Sequence, residues 1–256
     1  MFIYYRISDK GNPKEKLPYA DKESCLKNAV AEFGAENIHV IADNCHNETL
    51  SFIHSLGLSC EETSLGNSSS FMYMIKKIIA VRNDCDFVYL LEDDYIHLSG
   101  SLNVLEEGLA IADYVTLYDH PDKYHLYDDN GNPFNNRQIH PTRIYVTQSS
   151  HWRETDSTTM TFACRVKTLK EDYHIWEKYT VARNPDDYHG FMNLTKNNFS
   201  DMFSMLKRKR KQDFLILFKN WVMHKKTRRL ISAIPARATH AEVAFLSPVI
   251  DWKTVL

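Results

Sequence analysis

Three consecutive acids, Glu92, Asp93 and Asp94, close the apolar and aromatic run Phe87-Val88-Tyr89-Leu90-Leu91. Carboxylates this close repel one another. A bound divalent cation would remove that cost. Hard cations such as Mg²⁺ and Mn²⁺ favour carboxylate oxygen, and they often take one or two from the protein and the rest from substrate phosphates. The triplet therefore suggests chemistry on a phosphorylated substrate. An acidic surface loop is the plain alternative, and it leaves the apolar run unexplained.

A short apolar run bounded by polar residues reads as a strand buried on both faces. The chain before it alternates strand and helix. Strands are expected at residues 1–7 and 38–42. Helices are expected at 22–33, with Gly34 after it, at 48–56, and at 69–81, where Phe71, Met72, Ile75, Ile78 and Ile79 share one face. Strands separated by helices of this length imply a parallel sheet built from right-handed crossovers. Ligands bind such sheets beyond the carboxyl ends of the strands. Four features should meet there: Arg6 at the end of the first strand, Asp43 after the second, Asn67 to Ser70 at a helix start, and the acidic triplet. Turn chemistry for Asp43 and capping for Asn67 are the structural alternatives.

Beyond the triplet, residues 102–112 read as a helix and 114–118 as a strand. Residues 119–141 are polar and turn-rich, and a long irregular segment in a compact domain is often functional. Residues 143–148 and 157–164 alternate like strands, with His151-Trp152-Arg153-Glu154-Thr155-Asp156 between them. Trp152, set among charged groups, suits a sugar's apolar face or the core. Residues 167–180 are amphipathic, and Pro185-Asp186-Asp187 opens a further helix. Residues 206–229 carry ten Lys or Arg against the single acid Asp213, interleaved with Phe214, Phe218 and Trp221. That pattern fits a helix with a solvated basic face or a segment lying on anionic lipid. The C-terminal stretch around Arg237 and His240 is too rich in small residues and turns for a long helix.

The bulk properties suit a soluble enzyme. The chain has 256 residues and a net charge of −2, so nothing global points to nucleic acid. No apolar span reaches membrane length. Five cysteines without CxxC spacing suggest reduced thiols and a cytoplasmic setting.

The strand leading into Glu92-Asp93-Asp94 resembles the DxD-type site of GT-A glycosyltransferases, with Glu92 where that motif usually begins in Asp. The resemblance implies an α/β, GT-A-like fold: a Rossmann-like, mostly parallel sheet flanked by helices, here with a basic helical C-terminal region. It divides the chain into a donor half (1–118), an acceptor half (119–205) and a basic segment with a returning tail (206–256). It implies transfer of a sugar from a nucleotide diphosphate donor, such as a UDP-sugar, to a glycan or lipid-linked acceptor, with Mn²⁺ or Mg²⁺. Asp94 and His240 would hold the metal. Asp43 would lie near the base and Asp93 near the ribose. Arg6, Asn67, Ser70 and Arg237 would complete the donor side, and Trp152 the acceptor side. In an inverting enzyme Asp187 or its neighbour Asp186 would be the general base, with Glu154 and Asp156 as rivals. The basic segment would bring the enzyme to the inner face of an anionic membrane. Two other classes stay open. A nucleotidyltransferase acting on sugar phosphates also uses a parallel sheet with metal-binding acids, but a Gly-rich basic loop is missing after the first strand. A non-enzymatic polyanion- or membrane-binding module would leave the acids without a role.

Overall fold

The run in front of the acids is a strand, β4 (Phe87–Glu92), with Val88 to Leu91 buried. We describe a computed structural model covering residues 1–11, 14–124, 142–195 and 227–255, with Leu215, Phe218 and Val222 between the last two stretches. β4 sits near the middle of a nine-stranded sheet. Its other members are β1 (Phe2–Ser8), β2 (Ile38–Asp43), β3 (Cys60–Thr63), β6 (Tyr114–Thr116), β7 (Ile144–Val146), β8 (His151–Thr155), β9 (Phe162–Arg165) and β10 (Leu230–Ile234). Their order is β3-β2-β1-β4-β9-β6-β10-β8-β7, and only β8 and β9 run against the rest. A two-stranded ribbon of β5 (Tyr95–His97) and β11 (Ala238–His240) lies beyond β4. The expected α/β class with a mostly parallel sheet is what the chain adopts.

Helices cover both faces. Side chains alternate along a strand, so Ile3, Tyr5 and Ile7 of β1 enter one core and Tyr4 the other. The first core is closed by α1 (Lys22–Phe33), α2 (Asn47–Ser55) and α4 (Ser101–Leu109). The second is closed by α3 (Asn67–Val81), α5 (Val166–Glu171), α6 (Tyr173–Tyr179) and α7 (Asp187–Thr195). Gly34 ends α1 with φ +79°, and its N–H bonds Val30 O at 2.9 Å, a stop that glycine makes without strain.

Two local expectations are corrected. Residues 151–155, read as a link between strands, are themselves β8, paired with β10 from Leu230↔Thr155 to Ile234↔His151. The helix expected over 167–180 breaks at Asp172, whose buried carboxylate takes Arg228 Nε at 2.8 Å, Arg228 Nη2 at 2.9 Å and the Tyr114 hydroxyl at 2.8 Å. β10, for which no element was expected, lies just before the small-residue stretch and is inserted between β6 and β8, where Ala233 stands opposite Trp152. The sheet thus draws strands from all three sequence divisions. The acceptor loop expected at 119–141 is described only to Tyr124. The basic segment at 206–229 lies outside the described residues apart from exposed Leu215, Phe218 and Val222 and the stretch from 227.

Candidate functional site

The carboxyl ends of β1, β2 and β4 share one edge of the sheet, and the acids stand there. Asp93 accepts a hydrogen bond from Ser8 N at 3.0 Å. Burial, and then the charge of Asp94, push its carboxyl up to about 6. Asp94 is 8% exposed. Burial alone would raise its carboxyl as well, but His240 and Lys14 outweigh burial and hold it below the ordinary carboxylate range.

His240 reaches Asp94 because β11 pairs antiparallel with β5, the strand that follows the acids, in the register His240↔Tyr95. Its Nε2 lies 3.2 Å from Asp94 Oδ2. Its Nδ1 accepts the Glu242 N–H at 3.2 Å, so in the neutral ring Nε2 carries the proton and donates to Asp94. Lys14 Nζ stands 3.5 Å from Asp94 Oδ2, 3.4 Å from Glu242 Oε2 and 3.4 Å from His240 Nε2. Burial works against its charge, but Asp94, Glu242 and Glu92 prevail and raise its pKa.

These residues fit the expected cation only in part. Asp94 Oδ1 is buried and has no partner among the described residues, so one oxygen is open. His240 as placed has no lone pair to give. Ligation through Nε2 would move the proton to Nδ1 and set it against the Glu242 N–H, whereas a metal-bound histidine usually donates from its other nitrogen to an acceptor. An ammonium already stands between the remaining oxygens. No group of three or more His, Cys, Asp or Glu among the described residues could hold a metal. The pair Asp94 and His240 does not form the two-ligand site that the resemblance implied.

A second group surrounds the start of α3. Arg6 Nη1 donates to Asn67 O at 2.9 Å, Asn67 Oδ1 at 2.6 Å and Ser70 Oγ at 3.2 Å, and Nη2 donates to Glu92 Oε1 at 2.6 Å. The expected donor residues Arg6, Asn67 and Ser70 are therefore together, joined to the acidic triplet through Glu92. α7 begins beside them: Ser68 N donates to Arg183 O at 3.3 Å, and Asn67 Nδ2 to Asn184 Oδ1 at 3.3 Å. Burial pushes the Asp187 carboxyl at this helix start up to about 7, and the charges of Glu92 and Asp186 add to the rise. Asp186 is turned to His189, whose Nδ1 lies 2.8 Å from its Oδ2.

Other expected site residues are already engaged in contacts of their own. Asp43 is 1% exposed, and its oxygens take Thr63 Oγ1 at 2.8 Å, Asn44 Nδ2 at 2.8 Å, Leu65 N at 2.6 Å and Gly66 N at 3.0 Å. Burial raises its carboxyl, but these donors outweigh it and lower the pKa. It shapes the turn that delivers α3 and has no capacity left for a base. A cleft of about 240 Å³ opens next to it, lined by Asn44, Cys45, Leu50, Glu62, Thr63 and Ser64. Trp152 is fully buried in the first core, and its Nε1 donates to Thr147 Oγ1 at 2.9 Å. It presents no ring to a sugar. Glu154, opposite Ile231 on β8, accepts the Tyr145 hydroxyl at 2.6 Å on the hairpin with the edge strand. Asp156 takes Lys123 Nζ at 2.8 Å. Arg237 lies at the far end of the β5–β11 ribbon from His240, with its guanidinium bonded to Ser99 O.

Lys14 and Glu242 were not singled out from sequence. Nothing local marks them, because 80 residues separate Lys14 from Asp94.

No family model matches the chain, and no curated protein matches it. Solved structures do. One is TarS 1-349 of S. aureus, at 15% identity and TM-score 0.44, covering 75% of this chain and 56% of that one. Another is the galactosyltransferase LgtC in complex with donor and acceptor sugar analogs, at 13% identity and TM-score 0.40, covering 75% and 69%. A third is a nucleotidyl transferase from Methanothermobacter, at 11% identity and TM-score 0.43, covering 91% and 87%. Values this low carry no argument about activity.

Proposed function

We propose that the chain is a transferase acting on a nucleotide diphosphate sugar, with a glycan or lipid-linked acceptor. One observation carries the reading. The neighbouring acids Asp93 and Asp94, the start of α3 with Arg6, and the raised carboxyl of Asp187 all gather at the edge where the parallel strands end, the place where sheets of this kind bind ligands.

In this reading the base enters the cleft at Asn44, Glu62 and Thr63, because Asp43 is already satisfied. Asp93 faces the ribose. Arg6 is the fixed cation under the start of α3, and the helix dipole there adds to its pull on an anion. Asp187 accepts the proton of the acceptor hydroxyl as that oxygen attacks the anomeric carbon. The bond from that carbon to the phosphate oxygen breaks, and its electron pair leaves with the nucleoside diphosphate. A base with a pKa near neutrality suits this role. Glu154 and Asp156 stay as rivals, the first bonded by the Tyr145 hydroxyl and the second by Lys123. We place no divalent cation in the step, because His240 is oriented against ligation. The basic segment would hold the enzyme at an anionic membrane if the acceptor is lipid-linked. Among the described residues no helix is long and apolar enough to cross a membrane.

The test is a panel of nucleotide sugars with product analysis. Release of a nucleoside diphosphate supports sugar transfer. Release of pyrophosphate from a nucleoside triphosphate and a sugar phosphate would make the chain a nucleotidyltransferase. Turnover of neither kind, with no nucleotide bound, would sink the proposal.

A further inference from the structure

The geometry points to Lys14 as the cation that meets the diphosphate of the donor, in the position where a divalent metal was expected. This inference rests on the transferase reading above.

Backbone pairing of the residues that follow brings Lys14 to the acids. Residues 15–17 run antiparallel along 241–243: Leu17 N donates to Ala241 O at 3.0 Å, Val243 N donates to Glu15 O at 2.9 Å, and Lys16 bridges Glu242. Ala241 N in turn donates to Asp94 O at 2.7 Å. The strand that delivers His240 to Asp94 therefore delivers Lys14 to the same place.

The ammonium then has two anionic partners, Asp94 Oδ2 and Glu242 Oε2, and the protonated Nε2 of His240 beside it. Its side chain keeps 35% of its surface open, while that of Asp94 keeps 11%. The arrangement is a cation anchored from below by carboxylates and open on its outer side. An ammonium is a compact point charge with three donors and is a common phosphate binder. Here it would accept the charge that develops on the phosphate oxygen as the bond to the sugar breaks. The imidazole proton of His240 keeps Asp94 oriented, a role that needs no metal.

The experiment measures binding of UDP, GDP and CDP by calorimetry, to wild type, Lys14→Met and Lys14→Arg, each in excess EDTA and again with Mn²⁺. We expect wild type to bind at least one of them in EDTA, with an affinity that Mn²⁺ changes less than about threefold. Lys14→Met should weaken that binding about tenfold or more, the loss of one charge-assisted contact, and Lys14→Arg should recover most of it. Circular dichroism and the melting temperature of each variant show whether the fold is kept, which an exposed side chain allows. Binding that appears only with Mn²⁺ would overturn the inference and leave the transferase reading standing. Lys14→Met binding as wild type does in EDTA would overturn it too. No binding of any nucleotide, with or without Mn²⁺, would overturn both.

Discussion

Asp187→Asn should lose activity and gain stability, and the gain should depend on pH. The ordinary carboxyl value of 3.8 rises to about 7 in the folded chain. Between those two values the folded state holds a proton that the unfolded chain has released. Stability of the wild type therefore falls as pH climbs through that window. The full rise corresponds to about 4 kcal/mol. Asp187 is only half-buried, and solvent screening cuts this to about 2 kcal/mol. Asparagine carries no charge, so the variant should match wild type near pH 4 and exceed it by about 2 kcal/mol at pH 8. Loss of a general base should lower turnover about 10²- to 10⁴-fold. The wild-type rate should rise with pH through a limb near 7, and that limb should vanish in the variant. Urea melts at pH 4 and 8, with pH–rate profiles of both proteins, make the check. A variant that transfers sugar normally, or whose stability difference from wild type is the same at both pH values, refutes the assignment.

Asp94→Ala removes the carboxylate that orients both Lys14 and His240. Transfer should fall about a hundredfold, as when a preorganised electrostatic group is lost, and far-UV circular dichroism should be unchanged. Trp152→Ala empties a core position against Gly108, where a Cβ would already lie 2.8 Å from the Trp152 ring. It should cost about 3–5 kcal/mol in urea unfolding and leave the KM for acceptor unchanged wherever the protein is folded; a raised KM would restore Trp152 to the acceptor site. Reversing Lys207 to Lys211 to glutamate should abolish sedimentation with anionic liposomes at low salt, since each basic residue near such a surface contributes about 1 kcal/mol; wild type that ignores such liposomes would end the membrane proposal. Arg228 belongs outside that count of surface charge, because it is buried and paired with Asp172 and Glu171.

What the sequence determined by itself is what short-range periodicity can encode. The helix over 22–33 matches α1 to the residue, and Phe87 to Leu91 lead into the acids as a buried strand. The period of apolar residues reports which face is buried, and that is a property of a dozen neighbouring residues. Positions 151–155 read as a link because their strand character comes from pairing with β10, some 80 residues later, and strand preference depends on such partners more than on the residues themselves. The same limit governed the site. The resemblance to GT-A enzymes implied that Asp94 and His240 meet, and the ribbon of β5 and β11 does bring them within 3.2 Å. Only the fold showed that the lone pair of His240 is spent on Glu242 N, that the oxygens of Asp43 are spent on its own turn, and that Lys14 is carried to the acids by the run of 15–17 beside 241–243. Residue type says what a side chain could bind. Which hydrogen bonds it has already made is decided by parts of the chain that meet only when it folds.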